Sequence, residues 1–78
     1  MKELKADRVL DAKGLVCPMP VLKTKKSLDD LEAGQVLDVV TTDPASKSDI
    51  PALIKRLGHE LIELTERDMT FFFKIRKR

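Results

Sequence analysis

The apolar positions of this chain follow two spacings in turn, one typical of strands and one typical of helices. Runs of apolar and β-branched residues predict strands at residues 8–12 and 36–41. A helical pattern lies between them, from Pro18 at its first position to about Glu32, with Gly34 as the stop. Its expected buried stripe consists of Val21, Leu22, Leu28 and Leu31.

A second amphipathic helix follows a predicted turn at Asp43-Pro44. Its apolar stripe consists of Ile50, Leu53, Ile54 and Leu57. We expect Ser48 or Asp49 to cap this helix and Gly58 to end it. Pro51 is compatible with this assignment because the first turn of a helix does not need its missing amide hydrogen.

The remaining residues predict a hairpin with strands at 60–66 and 69–76 and a turn near Arg67-Asp68. In the final strand, Phe72 lies on the face opposite to the one shared by Met69, Phe71, Phe73 and Ile75. The element order is therefore βαβαββ. Right-handed crossovers place both helices on one face of a four-stranded mixed sheet, which predicts an α+β two-layer sandwich with Phe72 on the open face.

Length and composition narrow the class of protein. The 78 residues suffice for one domain, spanning residues 1–78, and 42% of them are hydrophobic. A net charge of +2 does not indicate a strongly basic nucleic-acid binder. The N-terminus runs into charged residues without an apolar segment, and there is one cysteine. We therefore expect a cytoplasmic monomer without a membrane span.

The most informative residue is Cys17, which lies between Gly14 and two prolines at the predicted start of the first helix. A thiolate is the attacking species in exchange at sulfur, and a helix N-terminus favours an anion, so we expect an exposed thiol with a lowered pKa. Pro18 and Pro20 would stiffen this turn. A second thiol would release bound sulfur by forming a disulfide, so a lone cysteine suits a sulfur carrier. The alternative is a small buried apolar cysteine.

Other candidates lie beside the thiol. Met19 follows it within the same motif, and Lys23 and Lys26 follow along the helix. These three side chains are either solvated surface or a partner-binding site, in which the lysines attract an acidic rim on the partner. His59 has no Cys, Asp or Glu at metal-ligand spacing, so we predict no metal. A sulfur carrier that works through its thiol alone also uses no organic cofactor, and we predict none.

These residues carry a family resemblance. The pattern D-x-x-G-L-x-C-P-x-P from Asp11 to Pro20 resembles the signature of the TusA/SirA/YedF family of small sulfur carriers. Further matching segments are Asp43-Pro44-Ala45, Asp49-Ile50-Pro51, Gly58-His59-Glu60-Leu61 and Ile75-Arg76-Lys77. The resemblance implies that Cys17 receives sulfane sulfur as a persulfide from a cysteine desulfurase or rhodanese. It also implies relay to an acceptor, such as a DsrE-like protein, in a sulfurtransferase-like reaction.

The destination of the sulfur stays open at this stage. The family serves tRNA thiolation, cofactor assembly or sulfur oxidation, and enteric members of the tRNA route resemble Leu-Arg-Cys-Pro-Glu-Pro. This chain has Val16 and Met19 instead of that charge pair, which weighs against the tRNA route. The alternative function is a non-catalytic RNA- or protein-binding regulatory module. For RNA, the chain offers little beyond Phe72 and a basic C-terminus.

Overall fold

A computed structural model of the protein describes residues 6–78. It contains four strands and two helices: β1 (Arg8–Ala12), α1 (Met19–Asp29), β2 (Val36–Thr41), α2 (Ser46–Leu57), β3 (Glu60–Arg67) and β4 (Thr70–Arg76). The predicted βαβαββ order is confirmed in the described residues.

The strands form one sheet in the order β1-β2-β4-β3. β1 runs parallel to β2, while β4 runs antiparallel to both β2 and β3. Both helices pack on the same face of this mixed sheet, as the two βαβ crossovers require. The α+β two-layer architecture predicted from the pattern is therefore confirmed.

The core lies between this sheet face and the helices. Its members are Leu28, Leu31, Leu37, Val39, Ile50, Ile54, Phe71, Phe73 and Ile75. Phe72 points to the opposite face and is 39% exposed, as the alternation along β4 predicted. Leu22 departs from the predicted stripe because it is 53% exposed. Its position on α1 faces solvent near the helix start.

The boundaries of α1 differ from the prediction at both ends. Pro18 is the N-cap and not the first helical residue. The helix ends at Asp29 with Asp30 as its C-cap, and the next N–H, that of Leu31, donates to the Leu28 carbonyl three residues back at 3.1 Å. Gly34 lies beyond this end with φ 92° and donates its N–H to the Lys77 carbonyl at 2.8 Å.

The start of α2 was predicted too late. The helix begins at Ser46, because the Ser46 hydroxyl donates to the Asp43 carbonyl at 2.7 Å and its N–H donates to the same oxygen. The Asp43 carboxylate accepts the Ala45 N–H at 3.1 Å. Asp49 is therefore in the first turn and does not cap the helix, and Pro51 lies within the helix.

The hairpin turn lies one residue later than predicted. It is formed by Asp68 at φ 52° and Met69 at φ 63°, so both central residues have the positive φ of a tight hairpin turn. Met69 is 63% exposed and does not join the core face of β4. The turn lacks the Asn-Gly or Asp-Gly pair that usually signals this geometry, which explains the misplacement.

The burial of Ile50 gives a test of the packing that holds α2, because its side chain is fully buried in the core. We predict that Ile50→Ala lowers the free energy of unfolding by about 2–5 kcal/mol through lost contacts and a residual cavity. Urea unfolding followed by circular dichroism measures the change. Lys55→Ala on the exposed face of the same helix is the control and should shift stability by at most about 0.5 kcal/mol. Equal effects of the two variants would contradict this packing.

Candidate functional site

The site is built where the carboxyl ends of two parallel strands meet. Ala12 at the end of β1 is paired with Thr41 at the end of β2. The segments that leave these two strands therefore run side by side. Gly14, with φ 83°, donates its N–H to the Thr42 hydroxyl at 2.9 Å. Open space surrounds the Gly14 α-carbon, so its backbone conformation, not crowding, requires glycine there.

A second hydrogen bond fixes the backbone of the cysteine itself. The Cys17 N–H donates to Asp43 Oδ2 at 2.7 Å, while Oδ1 of the same carboxylate accepts the Ala45 N–H. Asp43 thereby joins the segment before α1 to the segment before α2. Both carboxylate oxygens are used by main-chain donors, which holds the cysteine at a defined place above the sheet edge.

The sulfur faces a second carboxylate. Cys17 is exposed, and its Sγ–H donates to Asp49 Oδ2 at 3.5 Å from the first turn of α2. Partial desolvation of the sulfur raises the pKa of Cys17, and the hydrogen bond to Asp49 and the negative charges of Asp49 and Asp43 raise it further. The loss of water is local, since the residue as a whole stays open to solvent.

This environment overturns the predicted lowering of the Cys17 pKa. The expectation relied on the N-terminus of the first helix favouring an anion, where Met19 supplies one of the amides near the sulfur. That amide instead donates to the Val16 carbonyl at 2.9 Å. Two carboxylates act on the sulfur, and they favour the protonated thiol. The predicted exposure of Cys17 agrees with the structure, whereas the predicted acidity is wrong.

The two prolines of the motif have different surroundings. Pro18 is exposed at the N-cap of α1 and its carbonyl accepts the Leu22 N–H at 3.0 Å. Pro20 is fully buried, and its carbonyl accepts the hydroxyl of the buried Thr24 at 2.7 Å. Pro20 therefore anchors the helix start in the protein interior, in addition to the backbone stiffness that the sequence predicted for it.

Exposed apolar side chains precede and follow Cys17 along the chain. Val16 is 67% exposed and Met19 40% exposed, and Leu22 lies one turn further along the same side of α1. We call these three residues the apolar rim. Lys23 and Lys26 continue this side of the helix and, with Arg8 and Ser27, line a shallow cleft between α1 and β1. The structure brings the predicted residues Met19, Lys23 and Lys26 onto one surface.

The two aspartates were missed as site residues in the sequence. Asp43 was read as part of a turn and Asp49 as a helix cap. The predicted topology contained a usable signal, because residues that follow adjacent parallel strands gather at one sheet edge. Asp43 lies in the loop after β2, the strand beside β1, and Asp49 lies in the first turn of α2.

Comparisons with known proteins show which family this chain belongs to. Residues 8–77 match the protein family Sulfurtransferase TusA. A putative sulfur carrier protein, YrkI of Bacillus subtilis, is 49% identical over 95% of this chain and 99% of its own length. The sulfur carrier protein TusA of Allochromatium vinosum is 48% identical over 91% of this chain and 93% of its own length. A small domain with these relatives is a sulfur carrier.

A solved structure supports the same assignment. The crystal structure of a SirA-like protein from Desulfitobacterium hafniense superimposes with a TM-score of 0.80 at 32% identity, covering 88% of this chain and 95% of that one. The chain belongs to the TusA family, which confirms the resemblance found in the sequence. Among residues 6–78, no helix is long and apolar enough to cross a membrane.

The carboxylates around the sulfur predict a specific pH dependence. We expect the alkylation rate of Cys17 to rise with a midpoint above that of an ordinary cysteine, because ionisation must overcome partial desolvation and two nearby negative charges. Iodoacetamide alkylation followed by mass spectrometry over a pH series measures the midpoint. The same chain unfolded in urea is the matched control and should show the lower, ordinary midpoint. A folded-state midpoint at or below the unfolded one would contradict the described electrostatics.

Proposed function

We propose that Cys17 is the residue that carries the sulfur, as a persulfide formed on Sγ. The observation that carries this proposal is an exposed thiol whose main chain is fixed by the hydrogen bond to Asp43. A carrier must present its sulfur to two different proteins, which requires access from solvent together with a defined position. Gly14, Pro18 and Pro20 support this role because they shape the segment that holds the thiol.

The sulfur would come from a protein with its own persulfide. We propose a cysteine desulfurase or a rhodanese as donor, and a DsrE-like protein or another thiol protein as acceptor. Transfer between thiols moves sulfane sulfur without a metal or an organic cofactor. The single cysteine supports this scheme, since no second thiol in the chain can resolve the persulfide into an internal disulfide. A free thiol that reacts reversibly with sulfane sulfur needs a reducing compartment, so we propose the cytoplasm as the location of the protein.

The apolar rim and the two lysines form the proposed partner-binding surface. Val16, Met19 and Leu22 offer exposed apolar area beside the sulfur, which suits the centre of an interface. Lys23 and Lys26 extend this surface, and neither has an ion-pair partner among residues 6–78. Opposite charge on a donor would raise the rate of encounter more than the affinity.

The first functional prediction concerns the identity of the sulfur-bearing atom. Incubation with a cysteine desulfurase and cysteine should add one reducible sulfur atom to the wild-type protein and none to Cys17→Ser, because Cys17 supplies the only thiol. Intact mass spectrometry before and after reduction measures this gain. The double variant Cys17→Ser/Lys25→Cys moves the thiol to the exposed middle of α1 and should load poorly. Efficient loading of either variant would contradict the proposal.

The second functional prediction concerns charge steering. Lys23→Glu/Lys26→Glu should slow loading from the same donor about threefold to tenfold at low salt, with the thermal unfolding midpoint nearly unchanged. Stopped-flow mixing at low and high salt measures the defect, which should shrink as salt screens it. Lys55→Glu/Arg56→Glu makes the same charge change in the last turn of α2 and should load normally. A defect of equal size at high salt would argue against steering.

A further inference from the structure

Among residues 6–78, the Asp49 carboxylate accepts no main-chain hydrogen bond. In the part of the chain that the structure describes, its carboxylate has one hydrogen-bond partner, the Cys17 thiol at 3.5 Å, and no ion pair. Asp43 differs, because both of its oxygens accept main-chain N–H groups. The two carboxylates beside the sulfur therefore divide their roles. Asp43 holds the backbone, whereas Asp49 contacts the atom at which the chemistry occurs.

We propose that Asp49 is a catalytic residue of sulfur transfer, which takes the proton from the Cys17 thiol during loading and returns it during discharge. This inference rests on the proposed role of Cys17 as the persulfide-bearing residue. It follows from position: the Asp49 carboxylate is already the acceptor in the Sγ–H hydrogen bond, so proton transfer needs no rearrangement.

Loading balances as an exchange at sulfur. Cys17 Sγ attacks the terminal sulfur of the donor persulfide, and a new S–S bond forms as the donor S–S bond breaks. The Sγ proton passes to Asp49 Oδ2, and the donor cysteine leaves as a thiolate. The terminal sulfur keeps its own proton and its oxidation state. The products are a Cys17 persulfide, a protonated Asp49 and the donor thiolate, with no external oxidant or reductant.

Discharge reverses these movements with a new partner. An acceptor thiolate attacks the terminal sulfur, the Cys17 S–S bond breaks, and Sγ leaves with the electron pair of that bond. Asp49 returns its proton to Sγ, which restores the thiol and the carboxylate. Protonation matters here because a thiol of raised pKa is a poor leaving group as a bare thiolate.

The charged groups that act on the thiol come from two neighbouring segments. Asp43 lies in the loop between β2 and α2, and Asp49 lies in α2.

The alternative is a purely structural role for Asp49, in which its charge favours the N-terminal end of α2. The proton-transfer role and the structural role predict different effects of neutralising Asp49 on thiol alkylation and on persulfide discharge at Cys17.

The test uses the full chain and small-molecule probes, so that it does not depend on the identity of a protein donor. Wild type, Asp49→Asn and Asp49→Ser are loaded with inorganic polysulfide, and intact mass confirms one added sulfur on each. Cyanide then attacks the terminal sulfur, and thiocyanate formation reports discharge. Unloaded samples are alkylated with iodoacetamide at the same pH. Asp29→Asn, at the far end of α1, is the matched loss of one negative charge.

The proposal predicts opposite effects on the two reactions. Neutral variants at Asp49 should be alkylated about threefold to tenfold faster near neutral pH, because iodoacetamide reacts with the thiolate already present at equilibrium and a nearby charge that disfavours this thiolate is gone. Their discharge to cyanide should be about tenfold slower, a smaller effect than most general acids give because the site is open to water. Asp29→Asn should match wild type in both reactions.

The direction in which the discharge rate changes distinguishes the proton-transfer role of Asp49 from a purely structural role. A lower Cys17 pKa by itself makes Sγ a better leaving group, so without a proton-donor role the Asp49 variants would discharge faster. Unchanged or faster discharge in both variants would overturn the proposal. Persulfide formation on Cys17 is verified separately by mass in every sample. A failure of desulfurase-dependent loading would therefore contradict the proposed function without being confused with this result.

Discussion

The hydrogen bond from the Cys17 N–H to Asp43 is the contact on which the site depends. It joins two chain segments that are distant in sequence and adjacent in space, at a distance of 2.7 Å. A charge-assisted bond of this kind is stronger and more directional than one between neutral groups. It is available because β1 and β2 are parallel neighbours, with Ala12 opposite Thr41. Sheet topology thus determines where the sulfur lies.

The site combines an accessible thiol with an environment that keeps it protonated. Partial desolvation of the sulfur and the carboxylates beside it raise the pKa of Cys17, so the resting carrier presents a thiol and not a thiolate. Slow reaction with adventitious electrophiles and oxidants follows from that state. Low reactivity of the resting thiol suits a carrier that has to react with its own donor. Sulfur transfer then requires a group that removes the proton from the thiol.

Local sequence patterns predicted most of the fold and the position of the thiol at the start of the first helix. Strand alternation placed Phe71, Phe73 and Ile75 on the core face, and the two helical stripes located α1 and α2. The errors arose where tertiary contacts override local signals. α2 starts early because Ser46 bonds to the Asp43 carbonyl, and Leu22 is exposed although its spacing fits a buried stripe. The raised pKa of Cys17 comes from partial desolvation of the sulfur and from carboxylates 26 and 32 residues away along the chain, and no local pattern contains either.

In the proposed transfer, the sulfur of Cys17 and the carboxylate of Asp49 share one proton-transfer contact. Nuclear magnetic resonance tests it directly, by following the Cys17 ¹³Cβ and Asp49 ¹³Cγ shifts of the unloaded protein through the alkaline titration of the thiol. We predict that the Asp49 resonance moves together with that of Cys17 over the same pH range, and that Cys17→Ser abolishes this movement. An Asp49 resonance that stays constant while Cys17 ionises would contradict the proposed contact between the thiol and the carboxylate.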